Sequence, residues 1–337
     1  MEREKNARPT NSLLEQRLSS IERRLARIEN KLNDTSAATG IQRIPILGQL
    51  FTPRLWRYEQ YSSRRLRIDD RYGAEKIPDN PLRFAIVTPT LNQAKFIKAT
   101  IDSLLRQNYP NLAYFVQDGG SVDGTANILQ TFDNRLQWRS EPDSGQGDAI
   151  NRGFERIDGD IMGYLNSDDV LLPGTLAYVA RYFLENPEVD VVYGHRIYIN
   201  SNGFEVGRCV LPPHDAEALK WADYVPQETL FWRRRVWETV GPIDKSFEFA
   251  LDWEFLLRSQ KAGFRFARLP RFLACFRVHD EQKSSSLMQV GEKEMSELRA
   301  EYLGEAPGVF EIDQALRGYL LQQALFDGLY RAGMLRY

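Results

Sequence analysis

The hydrophobic positions follow two different periods along the chain. Leu14, Leu18, Ile21, Leu25, Ile28 and Leu32 recur at alternating steps of four and three, with charged residues between them. Two apolar positions in seven make the narrow seam of a coiled coil, not the broad face of a globular helix. The pattern predicts a coiled-coil helix within residues 1–34 and a homo-oligomer formed through residues 14–32. A lone amphipathic helix folded on the body is the alternative. Asp34 to Gly40 reads as a flexible linker. From Phe84 the period changes. Short strand-like runs at 84–88, 113–117, 136–140 and 161–165 alternate with helical stretches near 95–107, 125–132 and 149–157. That alternation implies right-handed crossovers and a parallel sheet. Each run ends in Asp, Asn, Gly or Ser, so polar loops gather at one sheet edge, where open α/β folds bind ligands. After Ser286 the chain turns helical again, at 288–302 and 312–335. The last stretch is amphipathic, suited to capping the body or to meeting a membrane.

Composition narrows this picture. The 337 residues are 42% hydrophobic and 27% charged, as in ordinary soluble domains. A net charge of -2 makes no case for a nucleic-acid partner. The charge is uneven, with 16 Lys/Arg against 11 Asp/Glu in residues 1–80 and 28 against 35 in the remainder. The basic stretch 41–80 also carries Trp56, Tyr58 and Tyr61, so it suits either peripheral membrane contact or a strap packed on the body. Cys209 and Cys275 form neither a disulfide framework nor a metal-like spacing, which favours a reducing compartment. No apolar run approaches the ~20 residues that span a bilayer, and the start lacks a leader's apolar region. The expectation is a cytoplasmic protein, with a peripheral position on the inner face of the cell membrane as an option.

Gly163 to Asp169 is the stretch with the most chemical content. It reads as a buried strand running into two adjacent carboxylates, Asp168 and Asp169. Neighbouring strand side chains face opposite ways, so one of the two should meet a ligand. A carboxylate there suits a hard divalent cation, with a diphosphate supplying further oxygens. A solvated turn with a helix-capping Asp is the plainer alternative.

The run from Phe84 to about Ser285 resembles the GT-A-fold glycosyltransferases of family 2, which are inverting and use nucleotide-sugar donors. The resemblance rests on Val-Thr-Pro-Thr-Leu-Asn at 87–92, Gln-Asp-Gly-Gly-Ser-Val-Asp-Gly-Thr at 117–125 and Glu-Pro-Asp-Ser-Gly-Gln-Gly-Asp-Ala-Ile-Asn-Arg-Gly at 141–153. Gly-Tyr-Leu-Asn-Ser-Asp-Asp at 163–169, Pro-Gln-Glu-Thr-Leu-Phe at 226–231 and Leu-Asp-Trp-Glu-Phe at 251–255 complete it. It implies an α/β GT-A body over 82–286, Rossmann-like with a mixed, mostly parallel sheet and flanking helices. A coiled-coil helix (1–34) and a basic, aromatic strap (35–81) would precede it, and C-terminal helices (287–337) would follow.

By the same resemblance, Thr88, Pro89, Asn92, Asp118, Ser121, Asp148, Asn151, Asn166 and Ser167 would serve the nucleotide sugar. As an acceptor, the Asp118 carboxylate suits the N3–H of uracil or thymine, which favours UDP or dTDP donors. The family's second acid after Asp118 is here Gly119. Asn166 replaces the first acid of the Asp-x-Asp motif, leaving Asp168, with His279, as the metal ligands for Mn²⁺ or Mg²⁺. Arg277 and Lys283 would help neutralise the leaving diphosphate. Asp252 would be the general base, in an apolar setting that raises its pKa. Gln227, Trp232 and Trp253 would line the acceptor side, for a glycan or lipid-linked acceptor. The rival reading is a non-catalytic coiled-coil scaffold whose body only binds sugar nucleotide or glycan. The loss at Asn166 leans that way, and Asp168, Asp252 and His279 lean against it.

Overall fold

Seven consecutive buried residues, Phe84–Thr90, form β1, and the architecture is laid out on both sides of it. In this computed structural model residues 54–132, 135–279 and 288–337 are described. The heptad seam, the linker and Lys283 lie outside them. β2 (Leu112–Asp118), β3 (Gln137–Ser140) and β4 (Ile161–Tyr164) pair in parallel in the order β3-β2-β1-β4. Helices α1 (Ile97–Leu105), α2 (Thr125–Gln130) and α3 (Gln146–Phe154) are the crossovers. Strands covered on both faces read as continuous apolar runs, which is why β1 and β4 were legible. The chain winds outward from β1 to β3, then returns to β4 on the other side of β1. A ligand crevice opens at such a reversal, outside the carboxyl ends of β1 and β4.

The rest of the sheet is mixed. β8 (Phe231–Arg233) runs antiparallel to β4, and β6 (Val191–Asn200) antiparallel to β8. β9 (Phe266–Val278) lies parallel to β6, β5 (Val170–Leu171) antiparallel to β9, and β7 (Glu205–Cys209) antiparallel to β6. Helices α4 (Thr175–Glu185), α5 (Ala216–Trp221), α6 (Arg234–Val240) and α7 (Leu251–Lys261) surround this half.

Residues 54–81 pack on this body as a strap. Arg64 exchanges backbone hydrogen bonds with Glu205, and the buried Glu205 carboxylate accepts from Tyr61, Arg64 and Arg208. The C-terminal helices α8 (Met288–Leu303) and α9 (Val309–Arg331) also belong to the body. Gln323 of α9 accepts from the Arg54 backbone and donates to Val210. Among the described residues no helix is long and apolar enough to cross a membrane.

Glu294 of α8 has a particular task. Its carboxylate accepts the backbone N–H groups of Glu248, Phe249 and Ala250 at 2.7, 2.9 and 2.8 Å, immediately before α7 begins. A negative charge at this position complements the positive end of the α7 dipole. Glu294→Ala would strand these donors. We expect it to lower stability by roughly 1–3 kcal/mol, measured by urea denaturation. An unchanged midpoint would show that the α7 entrance does not depend on Glu294.

Candidate active site

The loop after β4 is gripped from several directions. Asp169 is buried, and its carboxylate accepts the Arg277 backbone N–H at 2.9 Å. The Arg277 guanidinium donates to the Asp168 carbonyl at 2.7 Å. The Thr100 hydroxyl of α1 donates to the carbonyls of Ser167 and Asp169 at 2.8 and 2.7 Å. With Asp169 directed inward, Asp168 faces open space, and its Oδ2 lies 3.0 Å from His279 Nε2. The imidazole packs on the Phe96 ring at 4.7 Å.

Two cavities meet at this loop. One, of 530 Å³, is bounded by the end of β1 (Pro89, Thr90, Leu91) and by Asp143, Ser144 and Lys245. The other, of 490 Å³, is bounded by Trp56, Arg196, Asp223, Asp252 and the α9 residues Leu316 and Leu320. Gln146, Asn166 and Asp168 border both. The Gln146 and Asn166 side chains are hydrogen-bonded at 2.8 Å, and Asn166 donates to Gln227 at 3.1 Å. Asp252 sits in the first turn of α7 and forms no ion pair among the described residues. Burial pushes its carboxyl up to about 6.

The profile of Glycosyl transferase family 2 matches residues 85–241. A PGL/p-HBAD biosynthesis glycosyltransferase of Mycobacterium tuberculosis is 33% identical over 180 residues, 52% of this chain and 68% of that protein. The chain belongs to glycosyl transferase family 2. Its fold is that of solved relatives. The mannosyltransferase PcManGT of Pyrobaculum calidifontis, solved with GDP-Man and Mn²⁺, superposes with a TM-score of 0.54 at 20% identity, over 86% of this chain and 83% of that one. S. aureus TarS 1-349 with UDP-GlcNAc gives 0.53 at 19% identity, over 72% and 73%. Against a longer TarS chain, only 43% of that chain is covered.

The residues that the family motifs single out divide into those on the cavities and those behind them. Pro89, Asn166, Ser167 and Asp168 line the first cavity, and Gln227 and Asp252 line the second. Thr88 is fully buried, its hydroxyl paired with that of Tyr114 at 3.1 Å, so Thr90 and not Thr88 borders the first cavity. Asp118 is buried and accepts from the Ser121 N–H and hydroxyl and from the Ser140 hydroxyl. Asn92, at φ 54°, accepts the Val122 N–H, and its own N–H donates to Ser121. These four residues hold the β1 and β2 loops together. Asp148 pairs with Arg152 at 2.8 Å and Lys245 at 3.3 Å. The Asn151 amide brackets the Ile243 backbone at 2.9 and 3.0 Å.

The two tryptophans depart from the sequence expectation. Trp232, on β8 between β4 and β6, is fully buried against Trp237 and Phe255. Trp253 is fully buried too, and its indole N–H donates to the Leu219 carbonyl at 2.7 Å. Neither presents a face to the acceptor side, because both neighbours of β8 and the inner face of α7 enclose them. Glu254, one helical step pair from Asp252, turns away to Arg258.

Asp143 lies within the 141–153 motif, next to Ser144 and Gly145 of the first cavity. Only the structure places it. A Cβ on Gly119 would lie 2.9 Å from Asp143 Oδ2, so the missing side chain makes room for this acid. Burial raises the Asp143 carboxyl. Trp56, Lys245 and Asp223 carried no motif.

Trp232→Ala should behave as a core deletion. We expect a loss of about 3–5 kcal/mol in denaturant unfolding, with the acceptor KM of the folded fraction unchanged. A selective rise in that KM without a stability loss would restore the acceptor assignment.

Proposed function

We propose that the protein is an inverting glycosyltransferase that moves a sugar from a nucleoside-diphosphate sugar, UDP or dTDP being favoured, to a hydroxyl of a lipid-linked or glycan acceptor. The observation that carries this reading is the meeting of two cavities at Asp168, Asn166 and Gln146, with Asp252 bordering only the second. The donor belongs in the first cavity and the acceptor in the second. The acceptor oxygen attacks the anomeric carbon, the bond from that carbon to the diphosphate oxygen breaks, and the hydroxyl proton passes to Asp252. A carboxyl titrating near 6 is ionised at neutral pH yet basic enough for the task.

Asp168 and His279 fit a divalent cation in part. They are one hard oxygen donor and one imidazole nitrogen, 3.0 Å apart beside the donor cavity. In this reading a donor's diphosphate oxygens would supply further ligands. A bound cation would supply positive charge against the departing diphosphate. Asp118 supports the choice of base only through its acceptor character, since it is already hydrogen-bonded within its loop.

The acceptor wall is apolar over much of its extent, with Trp56, Phe249, Met295, Leu316 and Leu320. That lining suits an acceptor with an apolar portion, and the mycobacterial relative is named for PGL/p-HBAD biosynthesis. In this reading the heptad segment 14–32 sets a homo-oligomer, and the enzyme works in the cytoplasm, peripheral to the membrane that holds its acceptor.

Asp252→Asn should lower transfer by about 10²–10⁴-fold while leaving donor binding intact. In the native protein kcat/KM should fall as pH drops through about 6, because the base is lost on protonation. Full activity in Asp252→Asn would remove it as base. Calorimetric titration with UDP, dTDP and GDP, with and without Mn²⁺, tests the donor side. We expect metal-dependent binding of UDP or dTDP that His279→Ala weakens. Binding of GDP alone would refute the pyrimidine preference, and binding of none would favour the scaffold reading.

A further inference from the structure

The acceptor cavity holds a second acid. Asp223 follows α5 and borders the same cavity as Asp252. Its Oδ1 is buried and has no hydrogen-bond partner among the described residues. Buried polar atoms are nearly always satisfied, so an orphan one on a cavity wall marks a place for a ligand's polar atom. The charged groups nearby do not serve it. Arg196 is committed to Glu228 by two bonds of 2.7 and 2.6 Å. Arg299 gives its Nε–H to the Trp221 carbonyl at 2.8 Å and lies over the Trp253 ring. Among the described residues neither Asp223 nor Asp252 has an ion-pair partner.

We propose that Asp223 is an acceptor-binding residue, hydrogen-bonding a second hydroxyl of a sugar acceptor, distinct from the hydroxyl that Asp252 deprotonates. This rests on the reading of Asp252 as base. Two carboxyls lining one desolvated cavity each disfavour the other's charge. Burial, and then the charge of Asp252, hold the Asp223 carboxyl well above the usual range. Arg196, Glu228 and Tyr164 also face the pair, with Arg196 lowering and Glu228 raising both carboxyls. Asp223 is thus the more strongly raised of the two. Its unpartnered oxygen can accept from a neighbouring hydroxyl of the ligand. Asp252 stays ionised for the transfer. Two acids on the wall of one cavity thus point to an acceptor with more than one hydroxyl, not to a lone phenol or primary alcohol.

The test uses the full chain, a UDP- or dTDP-sugar, and a panel of p-nitrophenyl glycosides with their monodeoxy analogues. Asp223→Ala should raise the acceptor KM about tenfold and leave the donor KM unchanged. Asp223→Asn, which keeps a donor and an acceptor, should stay within about threefold of native. The native enzyme should disfavour one deoxy analogue about tenfold, and Asp223→Ala should no longer distinguish it. Penalties of variant and analogue that simply add, or a donor KM that rises with the acceptor KM, would overturn the proposal. So would a panel in which no glycoside binds. Asp252→Asn, run alongside, separates the two readings. If it retains transfer the base assignment fails, whatever Asp223 does. If it is inactive while Asp223→Ala equals native, only the present inference fails.

Discussion

A buried carboxylate must be given partners, and the way Asp169 obtains its partner organises the site. Its bond to the Arg277 backbone ties the loop after β4 to the end of β9. Arg277 returns a charge-assisted bond to the Asp168 carbonyl, and Thr100 fastens the same loop to α1. The parallel and mixed halves of the sheet are joined there. This is why Asp168 and His279, far apart in sequence, end 3.0 Å from each other. Low dielectric makes each of these bonds strong and each omission costly, so the loop has one arrangement.

The same economy recurs on the acceptor side. Glu294 satisfies the backbone ahead of α7 and so fixes the turn that carries Asp252. Arg196 and Glu228 are paired with each other near the cavity, and burial is the largest influence on both Asp252 and Asp223. The C-terminal helices and the strap at 54–81 complete the cavity wall with Leu316, Leu320 and Trp56. They are parts of the site as much as of the fold.

Much of this was legible in the residues. A strand buried on both faces has a continuous apolar run, so β1 and β4 declared themselves, and polar loops at their ends marked the crevice. The motif residues Asp168, Asp252 and Gln227 lie on the cavities. Local spacing also said that Asp168 and Asp169 face opposite ways, as they do. The strands β5 to β9 of the mixed half were not read. They are short or irregular, their partners lie far away in the chain, and their burial alternates little.

What the sequence determined alone was the family, the doubly wound half of the fold, and the acids at strand and helix ends, because these depend on local period and on motif. Tertiary structure alone decided which side chains face the cavities. Trp232 and Trp253 have suitable faces for sugars, but packing encloses both. Asp118 and Asn151 have suitable donors and acceptors, but neighbouring backbone and hydroxyl groups engage them. Asp143 fills the space that Gly119 leaves, and Asp223 borders the cavity of Asp252 from another segment. Such placements depend on contacts between residues distant in sequence, and no local pattern encodes them.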